Sequence, residues 1–477
     1  MAPLPLPTSS APGSIPGEGT GRLVNAQALK DGTDVRWVSV PGLVTQASPN
    51  AASPRGGLLV GGTLYLARAD SLWSLSAGLT LAAVDRLDGA NPVTMARNNR
   101  GSTADSAGPD VVIVSEVGPF VVQGGKVVDY PGSVVGAPND VSFLDGYFLF
   151  TYPNGTIRAT GTDATPTNTL AMSDQSYTVA ESSPDGLLRG TVQGGLFYAW
   201  GQSSIEIYAN QATAPFPLNR QQVIPVGLFG PWCVAGFEQG WDGPQIFVAA
   251  DGTVRRLDGY TPAKISTRAV EQFIAKASGP NVLRACVYTY GGNAVWSLSS
   301  PQGTWEFNVT TSEWHERRSA GMTRWRAETS VNAFGRWLVG DIETGAVLAV
   351  RDGVRSEAGK PLVSRVESAA LRGFPDRIRL GGLTVDIVSG QGDQAGADPV
   401  QTDPHCMVSW SLDGSAAWSA PLMRRIGPPG AYGVAVRVGD LGRASREGVR
   451  VAVEVSDPVP FSLRAADLPN VTIRKGS

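Results

Sequence analysis

The sequence predicts an all-β fold: a β-propeller followed by a C-terminal antiparallel, β-sandwich-like domain. Three observations carry this. A strand-turn-strand unit recurs about seven times, hairpin turn residues stand between the strands, and one helical pattern stands out inside the array. The units begin at Leu64, Val111, Tyr147, Phe197, Ile246, Val295 and Trp337, so the steps are 47, 36, 50, 49, 49 and 42 residues. Each strand is too short to be stable by itself. Units at this period build four-stranded blades around an axis, and propellers carry about 4–8 of them. We expect six to eight blades, with seven the best match to the repeat.

Taken in chain order, residues 1–20 are rich in Pro, Ser and Gly and offer little to bury. We expect residues 1–35 to form an N-terminal arm and lead-in, of which 1–20 are an arm or disordered tail that orders only against a partner. Regular patterning begins at Arg22-Leu23-Val24-Asn25. The propeller is expected over 36–355. Its turn signals are Gly124-Gly125, Asn154-Gly155 and Asp251-Gly252, which favour the primed hairpin turns that follow strand twist. Val270, Phe273, Ile274 and Ala277 recur at helical spacing and Gly279-Pro280 stops them, so a short helix is expected on a blade edge. Residues 356–477 hold less regularly spaced strands, from Leu362-Val363-Ser364-Arg365-Val366 to Val449–Val455, and read as a separate β domain.

Size and composition bound the function. At 477 residues the chain exceeds what one hydrophobic core supports, whereas every blade adds its own. Gly (58) and Pro (34) suit a chain with many turns. A net charge of −3 announces no global nucleic-acid-binding field. Of 39 basic residues only six are Lys, and Arg tolerates protein interfaces better than Lys, although genomic base composition accounts for the bias equally well. Cys233, Cys286 and Cys406 share no metal or redox spacing and read as buried thiols in a reducing compartment. No apolar run reaches the length of a membrane helix, and the first residues lack the regions of a secretory signal.

Catalytic chemistry is thinly represented, and we expect no enzyme, no cofactor, no metal and no catalytic residue. The two histidines, His315 in an expected turn and His405 beside Cys406, lack further ligands at metal spacing. Neither a nucleophile elbow nor a phosphate loop is present. Ser411-Leu412-Asp413-Gly414-Ser415-Ala416-Ala417-Trp418 resembles the Asp-box hairpin of sialidase-type propellers, a structural motif even there. Asp393 and Asp398 in the Gly-rich loop 389–398 do not match an EF-hand, and a solvated loop is expected. Arg377, Arg379, Arg424 and Arg425 could meet phosphate or acidic protein, or be solvated strand faces. A propeller glycosidase or carbohydrate-binding module is the alternative reading.

Several segments in order resemble one family, the tail-hub or packaged-DNA stabilisation proteins of short-tailed bacteriophages. They are Arg22-Leu23-Val24-Asn25-Ala26, Val38–Leu43, Ser183-Pro184-Asp185-Gly186-Leu187-Leu188, Ala199–Tyr208, Val226–Cys233, the helix near 267–278 and Trp410–Gly414 with Arg424-Arg425-Ile426-Gly427. Little of 60–130 follows the family. The resemblance implies an architectural virion protein, assembled in the host cytoplasm and located in the tail. It implies a homohexameric ring or nozzle below the portal and adaptor proteins. Such a head-tail connector extends the DNA channel, retains packaged DNA until ejection, and anchors tail fibres or spikes and a plug or needle. Contact with double-stranded DNA would be transient and non-specific, with no membrane insertion. The charge of −3 agrees with a passage that DNA must slide through.

Overall fold

The computed structural model describes residues 2–48, 52–101, 108–162, 170–180, 182, 185–392, 399–469 and 471–474. Five sheets each consist of four consecutive antiparallel strands, spanning 54–86, 94–129, 140–179, 187–224 and 234–264. A sixth set of four runs from Arg284 to Arg317, and a seventh uses three strands between Ala327 and Arg351. The seventh set takes its fourth strand, Gly42–Ala47, from the other end of the chain, antiparallel to Val347–Arg351. Innermost strands of neighbouring blades pack together, and Pro54–Val60 meets Ala327–Ala333 to close the ring. Closure by an early strand ties the two ends of the array, so no blade is left with an unpaired neighbour.

The repeats legible in sequence are the second and third strands of each blade, for example Thr63–Arg68 with Ser71–Ser76. These are flanked on both sides and carry the apolar runs, such as Tyr147–Thr151 with four of five residues buried. The turns divide into two kinds. Gly124 and Gly125 both have positive φ (57° and 76°), as a primed turn requires. At Asn154-Gly155 and Asp251-Gly252 only the glycine is left-handed, with φ 87° and 78°. There the preceding side chain organises the turn: Asn154 Oδ1 accepts from the Thr156 amide and Asp251 Oδ1 from that of Thr253.

The helix Arg268–Ala275 buries Val270, Phe273 and Ile274 between blades five and six. The turn expected at His315 is instead the outer strand of blade six, Glu313–Arg317. Its partner Gly303–Asn308 continues the same hairpin, so the run of polar residues there is a half-covered strand.

A second core lies outside the array. One sheet orders Ala26–Asp31, Asp34–Ser39, Ser462–Leu468, Arg377–Ile387 and Val436–Arg443. Facing it are Gly19–Val24, Ser364–Ser368, Arg450–Val455, His405–Ser411 and Leu422–Arg425. Leu380, Val385, Val438 and Leu463 from the first sheet share a core with Leu23, Val366, Val408 and Val453 from the second. Gly19–Val24 also touches the outer strand of blade six in parallel, at Val24 and Glu316, so one sheet runs from propeller into sandwich.

Residues 1–35 therefore do not form a separate arm. Strands 19–24, 26–31 and 34–39 belong to the sandwich, and the Pro-rich start straps across it. Leu4 is buried, its amide donating to Ala466 O at 2.8 Å, and Pro7 O accepts from the Trp37 indole at 2.6 Å. Ser10 N donates to Trp314 O at 2.7 Å. A segment poor in apolar area is held here by its carbonyls, hydroxyls and two leucines, Leu4 and Leu6, and the partner that orders it is its own chain. The loop aspartates Asp393 and Asp398 and residues Ser183-Pro184 lie outside the described residues.

Candidate interaction surfaces and the closure lock

Where blades six and seven meet the closing strand, charged groups are buried together. Glu306 is fully buried; it accepts from Tyr288 Oη at 2.9 Å, and its other oxygen lies 2.9 Å from His315 Nε2. Burial by itself would push the Glu306 carboxyl up, but the His315 hydrogen bond and the Arg317 charge outweigh it and hold it below its ordinary value. Arg317 donates to Pro41 O and to Glu357 Oε1, each at 2.7 Å, and lies over the Trp325 ring at 4.9 Å. Glu357 also accepts from the Trp325 indole at 3.1 Å and from Ser319 Oγ. Arg326 holds both oxygens of Asp341, at 3.0 and 2.6 Å.

This cluster joins Pro41, just before the closing strand, to blade six and to Glu357, just after blade seven. Its histidine is 1% exposed and its glutamate pair is sealed, so no substrate can reach it. It is a lock, and no residue of it was singled out by sequence except His315. One signal was there to read: Glu306 is the one charged residue of its strand and stands between Trp305 and Phe307, where an unpaired charge would be costly.

The other sequence-derived candidates scatter. His405 lies on an edge-side strand of the sandwich, its amide donating to Asp457 Oδ2 at 2.7 Å. The thiols of Cys233, Cys286 and Cys406 are buried, and burial pushes all three pKa values up. In the Asp-box-like hairpin, Asp413 Oδ1 accepts from Ser411 Oγ, Ser415 N and Ser415 Oγ, which builds the turn. Trp418 leaves the hairpin and lies between the guanidinium groups of Arg365 (4.9 Å) and Arg450 (5.2 Å). Among the described residues no group of three His, Cys, Asp or Glu side chains could hold a metal ion, and no helix is long and apolar enough to cross a membrane.

The arginines do assemble. Strand alternation sends Ile378, Leu380 and Val385 into the sandwich core and leaves Arg377 and Arg379 exposed on the opposite face. Arg437 and Arg443 are exposed from the next strand and Arg464 from the strand on the other side. Arg379 and Arg443 are direct cross-strand partners, a like-charge pair that would repel, with Asp440 3.5 Å from Arg379 as the counterion. Arg424 extends the face, its Nε donating to Arg437 O at 2.9 Å. Arg425 is paired with Asp403 at 2.9 Å on the exposed rim. A sheet face of this kind can meet phosphates or carboxylates; forked guanidinium donors suit both.

Seven blades round an axis, with a β-sandwich joined to the sixth through Gly19–Val24, define a β-propeller protein with an added β-sandwich. The chain belongs to the family described as "Bacteriophage P22 Gp10, beta-propeller", which it matches over residues 32–352. This is a phage tail-accessory, packaged-DNA stabilisation family, which makes the protein a structural component of the virion with a role in DNA stabilisation. No curated protein sequence matches it significantly. Among solved structures it is similar to the WD40 β-propeller domain of Doa1, at 10% identity over 65% of this chain and 98% of that one, TM-score 0.41. It is also similar to virginiamycin B lyase from Staphylococcus aureus, at 9% identity over 63% of this chain and 97% of that one, TM-score 0.41. BamB from Moraxella catarrhalis is similar at 13% identity over 68% of this chain and 94% of that one, TM-score 0.39.

Proposed function

We propose that the protein closes into a homo-oligomeric ring, a tail hub or nozzle below the portal and adaptor proteins. There it extends the DNA channel, holds the packaged genome and anchors the tail appendages. The observation that carries this reading is the family match over residues 32–352. Three features of the protomer support it. The continuous sheet from propeller to sandwich makes a stiff body, suited to a heterologous contact whose rotation closes. Among the described residues, blades one to five end in strands with an unpaired edge, available to a neighbour. The arginine face of the sandwich offers a surface for an acidic partner or for DNA phosphates in passing.

The test is to produce particles that lack the protein and to follow their DNA after packaging. Heads that fill and then leak, without tail appendages, are the expected result. Particles that keep their genome and carry a full tail would overturn the proposal. Adding back purified protein should restore retention, and an Arg379→Gln, Arg443→Gln variant should restore it less well if that face is used.

A further inference from the structure

The axial funnel of the propeller contains cations that its own carboxylates do not fully serve. It is a cavity of about 530 Å³, lined by the innermost strands of all seven blades. That volume lies within the ~300–1,000 Å³ of small-ligand sites. On one side stand Arg189 and Arg284, both over the indole of Trp232, at 4.7 and 6.0 Å. Phe237 flanks Arg189 at 5.2 Å. Arg189 Nη1 donates to Pro231 O and Arg284 Nη1 to Leu283 O, both at 3.1 Å, so the indole and these carbonyls hold the two guanidinium groups while further donors remain.

Their ion pairs are loose. Arg284 Nε and Arg324 Nη1 share a single oxygen, Glu328 Oε1, each at 3.6 Å, beyond hydrogen-bond reach. Arg189 Nε is 3.4 Å from Asp140 Oδ2 and makes no hydrogen bond. Arg324 is 8% exposed, and its Nη2 has no hydrogen-bond partner. Asp140 is already engaged, accepting from the amides of Val141 (2.7 Å) and Gly190 (2.8 Å). Glu238, also on the funnel wall, accepts from the Gly236 amide at 2.6 Å. Burial leads the balance at both carboxyls and pushes their pKa values up, which weakens them further as counterions. Leaving buried guanidinium donors unmet is costly, so the arrangement is one that a ligand would complete.

We propose that this funnel is a binding site for an oxyanion, a carboxylate or phosphate group, gripped by Arg189 and Arg284 beside Trp232. The group could be a free anion or a carboxylate side chain on a segment of another virion protein entering the propeller mouth. The experiment uses the purified full chain at low ionic strength. Calorimetry and thermal unfolding are run with inorganic phosphate, with citrate, and with chloride at matched ionic strength. A short Glu-rich peptide and its Gln counterpart form the second arm. Saturable binding of phosphate or citrate is expected, weakened at least tenfold by Arg284→Gln. Glu328→Gln removes the resident counterion and should tighten binding several-fold, an outcome that a purely structural role for these residues does not produce. Glu-peptide binding that competes with phosphate assigns the site to a protein segment; phosphate binding without peptide binding assigns it to a free anion. A response no greater than that to chloride, or affinities equal in wild type and Glu328→Gln, would overturn the proposal. The second criterion stands even if Arg284→Gln fails to fold.

Discussion

The two halves of the propeller are built differently. Blades four to seven share one continuous core that includes Trp200, Trp241, Trp296, Trp305, Trp314, Trp325 and Trp337. Blades one to three are held by several small clusters, largely aliphatic, such as Ala67, Leu72, Val111 and Ile113 between blades one and two, and blade one meets blade seven through another, Leu64 and Leu75 with Leu338 and Val347. The heavy half also carries the closing strand, the buried Arg317–Glu357 pair and the junction with the sandwich. The light half keeps its outer strands open, with Val128, Tyr177 and Val179 exposed. Rigidity is thus concentrated where distant parts of the chain must be joined.

Breaking the lock should have the largest effect. Arg317→Ala leaves Glu357 buried without its partner and should cost about 3–5 kcal/mol, read from the urea midpoint. Replacing both, as Arg317→Met with Glu357→Leu, should cost less, since Glu357 is no longer left unpaired and Glu306 keeps its His315 and Tyr288 partners. An equal loss in both variants would show that the lock acts through shape and not through charge.

Truncating a shared aromatic comes next. Trp314 is 2% exposed and donates its indole N–H to Ile265 O at 2.8 Å. Trp314→Ala should cost about 3–5 kcal/mol. Leu75→Ala in the light half should cost about 2–3 kcal/mol, towards the low end for a buried leucine, because its small cluster can collapse around the gap. The reverse ranking would dissolve the contrast between the halves.

The pH dependence sharpens it further. The Glu306 carboxyl is held below its ordinary 4.5, so its contribution is complete above that value and is lost as pH falls through the lower folded value. Asp140, between the light blades and the funnel, is raised above its ordinary 3.8, with burial the leading cause. Folded protein then holds that proton more tightly than unfolded chain, and stability falls as pH rises through this window. Stability measured across about pH 3–7 should lose part of its acid-side decline in Glu306→Gln and part of the opposing slope in Asp140→Asn. Matching profiles for the two variants would contradict the assignment.

The smallest effect is expected at the open edges. Val128→Lys, on the outer strand of blade two, should leave stability within about 0.5 kcal/mol. A large loss in the isolated protomer would mean that this edge is already covered.

The sequence by itself determined the repeat, its β character and the family. Central hairpin strands are covered on both sides, so their apolar runs and turn residues survive in one dimension; Phe148, Phe150 and Ile157 announce a blade without any partner being known. The helix at 268–275 was legible for the same reason, since its buried Val270, Phe273 and Ile274 repeat at helical spacing. Tertiary structure alone decided the rest. That Gly42–Ala47 closes the ring, that Leu4 and Leu23 belong to a sandwich core with Leu463 and Val453, and that Arg317 finds Glu357 are pairings between segments far apart in the chain. The same holds for the arginines: Arg379 and Arg443 become neighbours only through strand register, and Arg189, Arg284 and Arg324 only through the circular order of blades. Periodicity records which face of a strand is covered, but it carries no record of what covers it, and charge pairing leaves no local pattern at all.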